Sequence, residues 1–364
     1  MANSFVSVTV DPKSGCITHL INKKSGFDAI AAGGCGNQLQ TFKDTPKDYD
    51  AWNIDPGTLD HYEALGNPDS VEYTVCNLFL AAIVKRHFGH STITQTITVT
   101  DDSPVVTVTN DVEWHETHVL LKAAFPLAAT NSFATYEIPY GAIERPTTRN
   151  NSFEQARFEV PALRWADLGD GKNGFSLINN SKYGYDCAGN VLRLSLLRSP
   201  TWPDADADRG HQHFEYALYP HAGTWQEAET VRRGYEFNDR LHAQQVFEHE
   251  GPLPAEHSFV DVSPANVVLT SMKKTEDGNG VILRVYEATG QKTTATLTLP
   301  TDGTALLPGA VKEVNLMEQD GGERPLAVKD GKVSVELGPW EIETLRVDIP
   351  KRGAEFWEQG KGAR

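Results

Sequence analysis

The chain has 364 residues, with 33 Lys and Arg against 49 Asp and Glu and a formal net charge of −16 at pH 7. This length suffices for a well-buried core in one large or two ordinary domains, and the 39% hydrophobic content excludes wholesale disorder. The negative charge repels phosphate backbones and anionic membranes, which argues against nucleic acid and membrane partners but leaves neutral partners such as sugars unaffected.

The first predicted element is a hairpin. Val6, Val8 and Val10 alternate along one face, residues 11–15 supply turn chemistry, and residues 16–21 read as the returning strand. The N-terminal ten residues, MANSFVSVTV, lack the basic segment and apolar core of a signal peptide, and no apolar run approaches the roughly 20 residues that span a bilayer. We therefore expect a soluble, cytoplasmic protein.

The cysteines bear on the same question. Their wide separation and the absence of a CxxC spacing favour free thiols in a reducing compartment, although two long-range disulfides stay open as an alternative. The four are Cys16, Cys35, Cys76 and Cys187.

Residues 43–57, KDTPKDYDAWNIDPG, are polar with interleaved aromatics and have no sustained period. They predict an ordered loop of unusual length, and such loops are more often functional than merely connecting. This loop holds the most sugar-like group in the chain, because tryptophan stacks on pyranose faces and carboxylates accept from hydroxyls. A rigid packing loop with a buried Trp52 is an equally good alternative. The residues concerned are Asp44, Asp48, Asp50, Trp52 and Asp55.

From residue 71 to 109 the pattern is β throughout. In STITQTITVT, Ile93, Ile97 and Val99 fall on one face and threonines on the other, which predicts one core face. The next strand is expected to run unbroken through residue 122, and its shared face mixes an aromatic with charges, which is unusual for core. That face comprises Trp114, Glu116, His118, Leu120 and Lys122.

The only convincing helix begins near Thr224, which has the spacing of a capping box with Glu227 and precedes apolar residues at helical intervals. Residues 250–255 contain two prolines and read as a linker. Strands at short spacing between residues 267 and 349 predict a small β-sandwich. The expected domains are residues 1–250 and 256–350, followed by a loosely held tail at 351–364.

Several candidate metal sites have simpler explanations. Asp204, Asp206, Asp208 and Glu215 nearly match a calcium loop, but Arg209 stands where glycine is needed and no helices flank the loop, so a solvated acidic loop is favoured.

Histidines give no complete metal site either. His211 and His213 share a face of a predicted strand, but no third or fourth ligand is evident. His115 and His118 are three residues apart and fall on opposite faces of the predicted strand. We find no GxSxG, catalytic cysteine or P-loop motif.

Seven strings in the first 223 residues, and two further ones, are specific enough to identify a family. They resemble the C-terminal half of the glycoside hydrolase family 38 α-mannosidases, in the cytosolic and bacterial branch. The strings are GNQLQTFKD, DAWNIDPG, EWHETHVLLKAAFP, YEIPYGAIERPTTRN, ARFEVPALRWADL, SKYGYDCAGNVLRLSLLRSP and YALYPHAG, then NVVLTSMKKTEDGNGVILRVYEATG and GPWEIETLRV.

The resemblance implies an all-β fold, a large galactose-mutarotase-like β-supersandwich followed by a small β-sandwich. It also implies a missing N-terminal catalytic domain, in which a zinc ion orients the sugar hydroxyls and an Asp forms a glycosyl-enzyme intermediate. No motif of that domain occurs here, so this segment alone is expected to lack catalytic residues, metal and activity. Its expected partners are that domain and mannose-containing oligosaccharides.

Two departures from the family bear on fine substrate contacts and leave the architecture untouched. The family often has His and Trp at the positions of Thr148 and Phe153, and an aromatic or Trp-Asp pair at Tyr49 and Asp50.

The resemblance predicts that this region scaffolds the catalytic barrel and lends contacts to the rim of its pocket or to the interface. Arginine suits such contacts because its planar fork pairs bidentately with carboxylates, although an internal salt bridge is nearly as good an explanation for both arginines. The candidate residues are Asp44, Asp50, Trp52, Asp55, Arg145 and Arg149.

Two other function classes stay open. A standalone carbohydrate-binding module needs an exposed aromatic platform. A mutarotase-like epimerase needs a His base and a Glu acid on one face, for which His118 and Glu116 are the candidates.

Overall fold

The computed structural model describes residues 1–248, 250–251, 255–299, 310–319 and 324–348. The chain divides into two compact units, Met1–Leu241 and His242–Arg364. The tail predicted at residues 351–364 and part of the predicted linker lie outside the described residues. The expected all-β class is confirmed, since strands dominate both units.

The first unit is built from eighteen described strands. They are β1 (Val6–Val10), β2 (Ile17–Asn22), β3 (Phe27–Asp28), β4 (Gln38–Lys43), β5 (Glu63–Ala64), β6 (Ser70–Val75), β7 (Phe79–Phe88), β8 (Ser91–Thr100), β9 (Val106–Trp114), β10 (Val119–Pro126), β11 (Phe133–Ile138), β12 (Gly141–Pro146), β13 (Val160–Pro161), β14 (Trp165–Gly169), β15 (Asn173–Asn179), β16 (Gly184–Ala188), β17 (Val191–Leu197) and β18 (Gly210–Ala222).

These strands form three antiparallel sheets. Two are large, a nine-stranded sheet in the order β12-β11-β14-β15-β18-β9-β8-β7-β6 and a six-stranded sheet in the order β13-β16-β17-β10-β4-β5. The third is the sheet β1-β2-β3, which contains the predicted N-terminal hairpin. One buried apolar cluster draws side chains from all three sheets, as in a sandwich core. The predicted core face of β8 is confirmed, because Ile93, Ile97 and Val99 are each at most 1% exposed.

The single strand predicted from residue 114 to 122 is wrong. Strand β9 ends at Trp114 in the nine-stranded sheet, and β10 begins at Val119 in the six-stranded sheet. Residues 115–118 carry the chain from one sheet to the other, and His118 has a φ of 54°, a left-handed backbone conformation that no strand allows. The period-2 count therefore restarts at Val119, and Glu116 and His118 lie in the crossing.

Helices are few in the described part of the first unit: a 3₁₀ turn at Thr58–Asp60, α1 (Ser152–Gln155) and α2 (Thr230–Asn238). The predicted capping box forms, with the Glu227 amide donating to Thr224 Oγ1 at 3.3 Å and the Thr224 amide donating to Glu227 Oε2 at 2.9 Å. It opens a turn, and the α-helix begins only at Thr230. Helix α1 was not predicted, and Asn151 caps it by accepting from the amides of Phe153 and Glu154.

The second unit contains the predicted small β-sandwich. Its two sheets, β19-β22-β26-β25 and β20-β21-β27-β23-β24, enclose their own apolar core. The strands are β19 (Asp261–Ser263), β20 (Val267–Lys274), β21 (Gly280–Glu287), β22 (Thr293–Thr298), β23 (Val311–Val314), β24 (Arg324–Leu326), β25 (Val328–Lys329), β26 (Lys332–Leu337) and β27 (Ile342–Asp348).

In the described part of the chain, no helix has the length and apolar character needed to cross a membrane.

The prediction of free thiols is wrong for two of the four cysteines. Cys16 and Cys35 form a disulfide across 19 residues, whereas Cys76 is exposed and Cys187 is buried, both as free thiols. The alternative of two long-range disulfides is wrong as well, because Cys76 and Cys187 are free. Each bonded cysteine is next in sequence to a residue of the antiparallel β-bridge between Ile17 and Gly36. The spacing of the cysteines in the sequence does not reveal this bridge.

We expect loss of this disulfide to lower the free energy of unfolding by about 3 kcal/mol, because opening a loop of this length frees the unfolded chain. The measurement is urea denaturation of the Cys16→Ser, Cys35→Ser double variant beside the parent. Thiol titration of the denatured, unreduced parent should find two reactive thiols. Four reactive thiols would contradict the bond.

Candidate functional site

Arg198 is the centre of a polar cluster at one end of the six-stranded sheet. It follows β17 directly, and its guanidinium forms a bidentate pair with Asp44, which follows β4. Arg198 Nε lies 2.5 Å from Asp44 Oδ2, and Nη2 lies 3.2 Å from Oδ1. Asp44 is only 1% exposed. Burial raises the pKa of Asp44 above its usual value, even though the Arg198 guanidinium opposes that shift.

The same guanidinium holds the long predicted loop. Nη1 donates to the Ala51 carbonyl at 2.9 Å, and Nη2 donates to the carbonyls of Asp50, at 3.0 Å, and Asn53. The Arg198 guanidinium therefore binds three backbone carbonyls within four residues of the loop. The loop is long but anchored.

Asp50 joins this loop to two other segments. Its Oδ2 accepts from the Thr201 amide at 2.7 Å, the Trp202 amide at 3.2 Å and His118 Nε2 at 3.1 Å. The pKa of Asp50 lies below its usual value, because these hydrogen bonds outweigh the loss of solvent, which alone would raise it. The carboxylate is thereby held ionised between its own loop, the crossing residue His118 and residues 201–202.

Two tryptophans stand exposed beside these carboxylates. Trp52 is 63% exposed and Trp202 is 57% exposed, and their rings meet edge to face at a centroid distance of 5.4 Å. Tyr49, also in the loop, is 66% exposed. Large apolar rings left in solvent on an anchored loop are typical of a contact surface. We call the set of Asp44, Asp50, Trp52, His118, Arg198 and Trp202 the Arg198 cluster.

The structure brings three of the six predicted site residues, Asp44, Asp50 and Trp52, into this cluster. Trp52 is exposed, which answers the alternative of a buried packing residue. Asp55 lies in the same loop but elsewhere in its network, where its Oδ2 accepts from the Lys47 amide at 2.8 Å.

Arg145 and Arg149 donate to backbone carbonyls of residues that are not part of the cluster. Arg145 Nη1 donates to the Pro161 carbonyl at 2.8 Å, and its guanidinium lies 4.8 Å from the centroid of the Tyr136 ring. Arg149 donates to the Thr148 carbonyl at 3.1 Å. Within the described ranges neither arginine forms the internal salt bridge that the alternative explanation requires.

Arg198, Thr201 and Trp202 were missed from the sequence. Arg198 is separated from Asp44 by 154 residues, so no local spacing links them. The available signal was weak: an arginine and a Thr-Trp pair flank Pro200 immediately after an apolar strand.

The loop that resembles a calcium-binding loop, residues 204–215, does not direct its carboxylates toward one point. Asp208 Oδ2 accepts from the amides of Arg198 and Ser199, at 2.8 and 3.0 Å. Glu215, on β18, instead accepts from Thr109 Oγ1 at 2.9 Å and pairs with Arg240. His211 and His213 form separate cross-strand pairs with Glu113 and Asp111. Across the part of the chain that the structure describes, no group of three or more His, Cys, Asp or Glu side chains is arranged to hold a metal ion.

Glu116 and His118, the epimerase candidates, are directed to different partners. Glu116 Oε1 accepts from the His90 amide and Ser91 Oγ at 2.8 Å each, whereas His118 faces Asp50. Glu116 and His118 therefore do not form an acid and base pair that could act on one sugar carbon.

Comparison with known proteins covers both units. Residues 1–206 match the C-terminal domain of glycosyl hydrolases family 38, and residues 266–345 match the C-terminal beta sandwich domain of the same family. The chain is similar to Alpha-mannosidase 2C1 of Mus musculus, with 36% identity over 362 residues, covering 94% of this chain and 33% of the relative. Alpha-mannosidase G of Dictyostelium discoideum is 32% identical over 361 residues, covering 94% of this chain and 32% of the relative.

The fold has a solved counterpart. An alpha-mannosidase from Enterococcus faecalis V583 superposes with a TM-score of 0.76 at 17% identity, covering 95% of this chain and 41% of that one. The chain thus spans about a third of the length of the curated relatives it matches. Because a family match covers residues 1–206 and a second match covers the small sandwich, the chain belongs to glycoside hydrolase family 38, as part of that family's C-terminal β region.

Proposed function

We propose that the chain is the β-structured C-terminal part of a retaining, zinc-dependent α-mannosidase, and that it scaffolds the catalytic domain. The observation that supports this most is the match to α-mannosidases along 94% of the chain but only about a third of their length. A segment of this kind contributes shape and contacts, and the reacting groups come from elsewhere.

The described residues of this chain do not fit a zinc site. Carboxylates and histidines that could serve as ligands are paired one to one, as in His211 with Glu113 and His213 with Asp111. We therefore place zinc, the nucleophile and the acid/base in the two thirds of the relatives that this chain does not cover.

The Arg198 cluster is our candidate for the rim of the catalytic pocket. Sugar contacts need apolar ring faces held in place beside hydrogen-bonding groups. Trp52 and Trp202 provide such rings. The Arg198 contact holds the loop that carries Trp52, and the Asp50 contact joins it to the segment that carries Trp202. We retain Asp55 as part of that loop, and Arg145 and Arg149 as candidates for the interface with the catalytic domain.

We expect the purified 364-residue chain to show no hydrolysis of an aryl α-mannoside when zinc is added. The measurement is release of the aryl alcohol over hours, with a full-length family 38 α-mannosidase as the positive control under the same conditions. Zinc-dependent turnover by this chain, proportional to its concentration, would contradict the proposal.

A cytoplasmic location stays a prediction. The Cys16–Cys35 disulfide bears on it, because structural disulfides persist mainly in oxidising compartments. Thiol counting on protein from the native host would therefore test the location as well as the bond.

A further inference from the structure

The face of the six-stranded sheet that points away from the apolar core carries buried polar side chains. Along β4, β10 and β17 the residues of the core alternate with residues on the opposite face, as the two-residue period of a strand requires. Leu39, Ala123 and Leu192 belong to the core, while their neighbours Gln40, Lys122 and Arg193 do not. Yet these three polar residues are also buried, at 3, 0 and 8% exposed.

Two cationic and two anionic side chains pair with one another on this face. Lys122 Nζ contacts Glu159 and lies 2.6 Å from Asp186 Oδ1. Arg193 approaches Asp186 Oδ2 with Nε at 2.9 Å and Nη2 at 2.7 Å. Ser195 Oγ donates to the second oxygen of Glu159 at 2.5 Å. Two cations and two carboxylates thus neutralise one another, and their hydrogen bonds fix the Arg193 side chain.

A cavity of about 260 Å³ opens above Arg193. Its polar lining comprises Gln38, Gln40 and Arg193, with the Gln40 amide donating to Gln38 at 2.8 Å and Arg193 Nη1 donating to Gln40 at 3.4 Å. Its apolar lining includes the Tyr62 ring, which is 50% exposed, and the small side chains of Ala188 and Val191. We call it the Arg193 pocket.

The chemistry of the Arg193 pocket selects for a neutral ligand. An anion would have to compete with Asp186, which already engages the guanidinium through two nitrogens, and the cluster as a whole carries no net charge. A purely apolar ligand would not use the hydrogen-bonding capacity of the two glutamine amides that remains beyond their contacts with each other and with Arg193. The volume lies below the range of about 300–1,000 Å³ typical for drug-sized ligands, which favours a single small ring.

We propose that the Arg193 pocket binds one pyranose ring of a neutral carbohydrate, with hydroxyls toward Gln38, Gln40 and the Nη1 nitrogen of Arg193 and one apolar sugar face against Tyr62. This site goes beyond the proposed function: it shares no lining residue with the Arg198 cluster, and it needs neither zinc nor hydrolysis. The chain would then hold a glycan at a site separate from the Arg198 cluster.

The test is a titration of the 364-residue chain with the methyl glycosides of mannose, glucose and galactose, in which saturation-transfer NMR measures binding. We expect saturable binding of at least one of them with a dissociation constant of about millimolar order. Ala188→Trp, which fills the cavity from an exposed position, and Tyr62→Ala should each weaken it about tenfold or more. Inorganic phosphate should not compete.

Trp52→Ala is the matched control, since it removes an exposed aromatic from the Arg198 cluster and leaves the Arg193 pocket intact. Absence of saturation for all three glycosides would overturn the proposal. So would undiminished binding by Ala188→Trp, or a loss of binding in Trp52→Ala alone, which would assign the sugar to the Arg198 cluster. Circular dichroism of each variant verifies that it is folded. None of these results depends on whether the chain belongs to an active mannosidase.

Discussion

Replacing Lys122 by methionine is expected to lower the free energy of unfolding by about 3–5 kcal/mol at pH 7, because it leaves a buried carboxylate without its cation. Lys122 is completely buried and lies between Glu159 and Asp186. Arg193 still neutralises Asp186 in the variant, so Glu159 bears most of the cost. Methionine keeps the length and the apolar stem of lysine, so packing changes little.

Urea denaturation followed by tryptophan fluorescence measures this loss, since Trp114 and Trp165 are fully buried in the first unit. The matched control is Lys85→Met. Lys85 pairs with Glu72 at 3.3 Å, but both side chains are at least half exposed, so this change should cost at most about 1 kcal/mol. Equal losses of unfolding free energy in the two variants would show that the buried ion pairs of Lys122 stabilise the fold no more than the exposed pair of Lys85.

The Lys122→Met loss should also depend on pH. Burial raises the pKa of Glu159, and Lys122 opposes that shift, so removing Lys122 raises this pKa further. A carboxyl group whose pKa is higher in the folded than in the unfolded state makes folding less favourable once both states are ionised. The difference between variant and parent should therefore be largest at neutral pH and shrink as the pH falls through the folded-state pKa of Glu159. A difference that grows on acidification would contradict this account.

Replacing Arg198 by alanine is expected to cost about 3–5 kcal/mol and to release the loop of the Arg198 cluster. Asp44 would be left buried without its bidentate partner, and the carbonyls of Ala51 and Asn53 would lose their donor. We expect hydrogen exchange to accelerate across residues 45–57 while the β10 amides, paired to β4 and β17, stay protected.

Two further variants isolate the cause. Arg209→Ala removes a nearby arginine that is 41% exposed and lies 3.4 Å from Asp206, so its cost should stay below about 1 kcal/mol. Adding Asp44→Asn to Arg198→Ala should restore part of the lost stability, because the buried group is then neutral. No recovery in the double variant would mean that the charge on Asp44 is not what Arg198 stabilises.

The sequence predicted what depends on neighbouring residues. Period-2 alternation located β1 and the core face of β8, and the capping box at Thr224 was present in the spacing of its two residues. The same alternation failed between Trp114 and Val119, because a strand pattern carries no information about the sheet to which the next strand belongs.

The candidate site depended on distant contacts, and for that reason only part of it could be predicted. The composition of residues 43–57 singled out Asp44, Asp50 and Trp52, whereas their partner Arg198 becomes adjacent only through the sheet order β17-β10-β4. The disulfide between Cys16 and Cys35 likewise follows from how the N-terminal sheet folds back on the chain.

The crossing at residues 115–118 sets a limit on how this protein can diverge. Glu116 accepts hydrogen bonds at the start of β8 and His118 contacts Asp50, so two of the four crossing residues are held to different parts of the molecule. Adding or deleting one residue here would unfasten at least one of them, whereas Tyr49 and Trp52 can be exchanged without moving a strand. The chain thus combines a span of fixed length with an adjoining loop whose exposed side chains can change without altering the sheets.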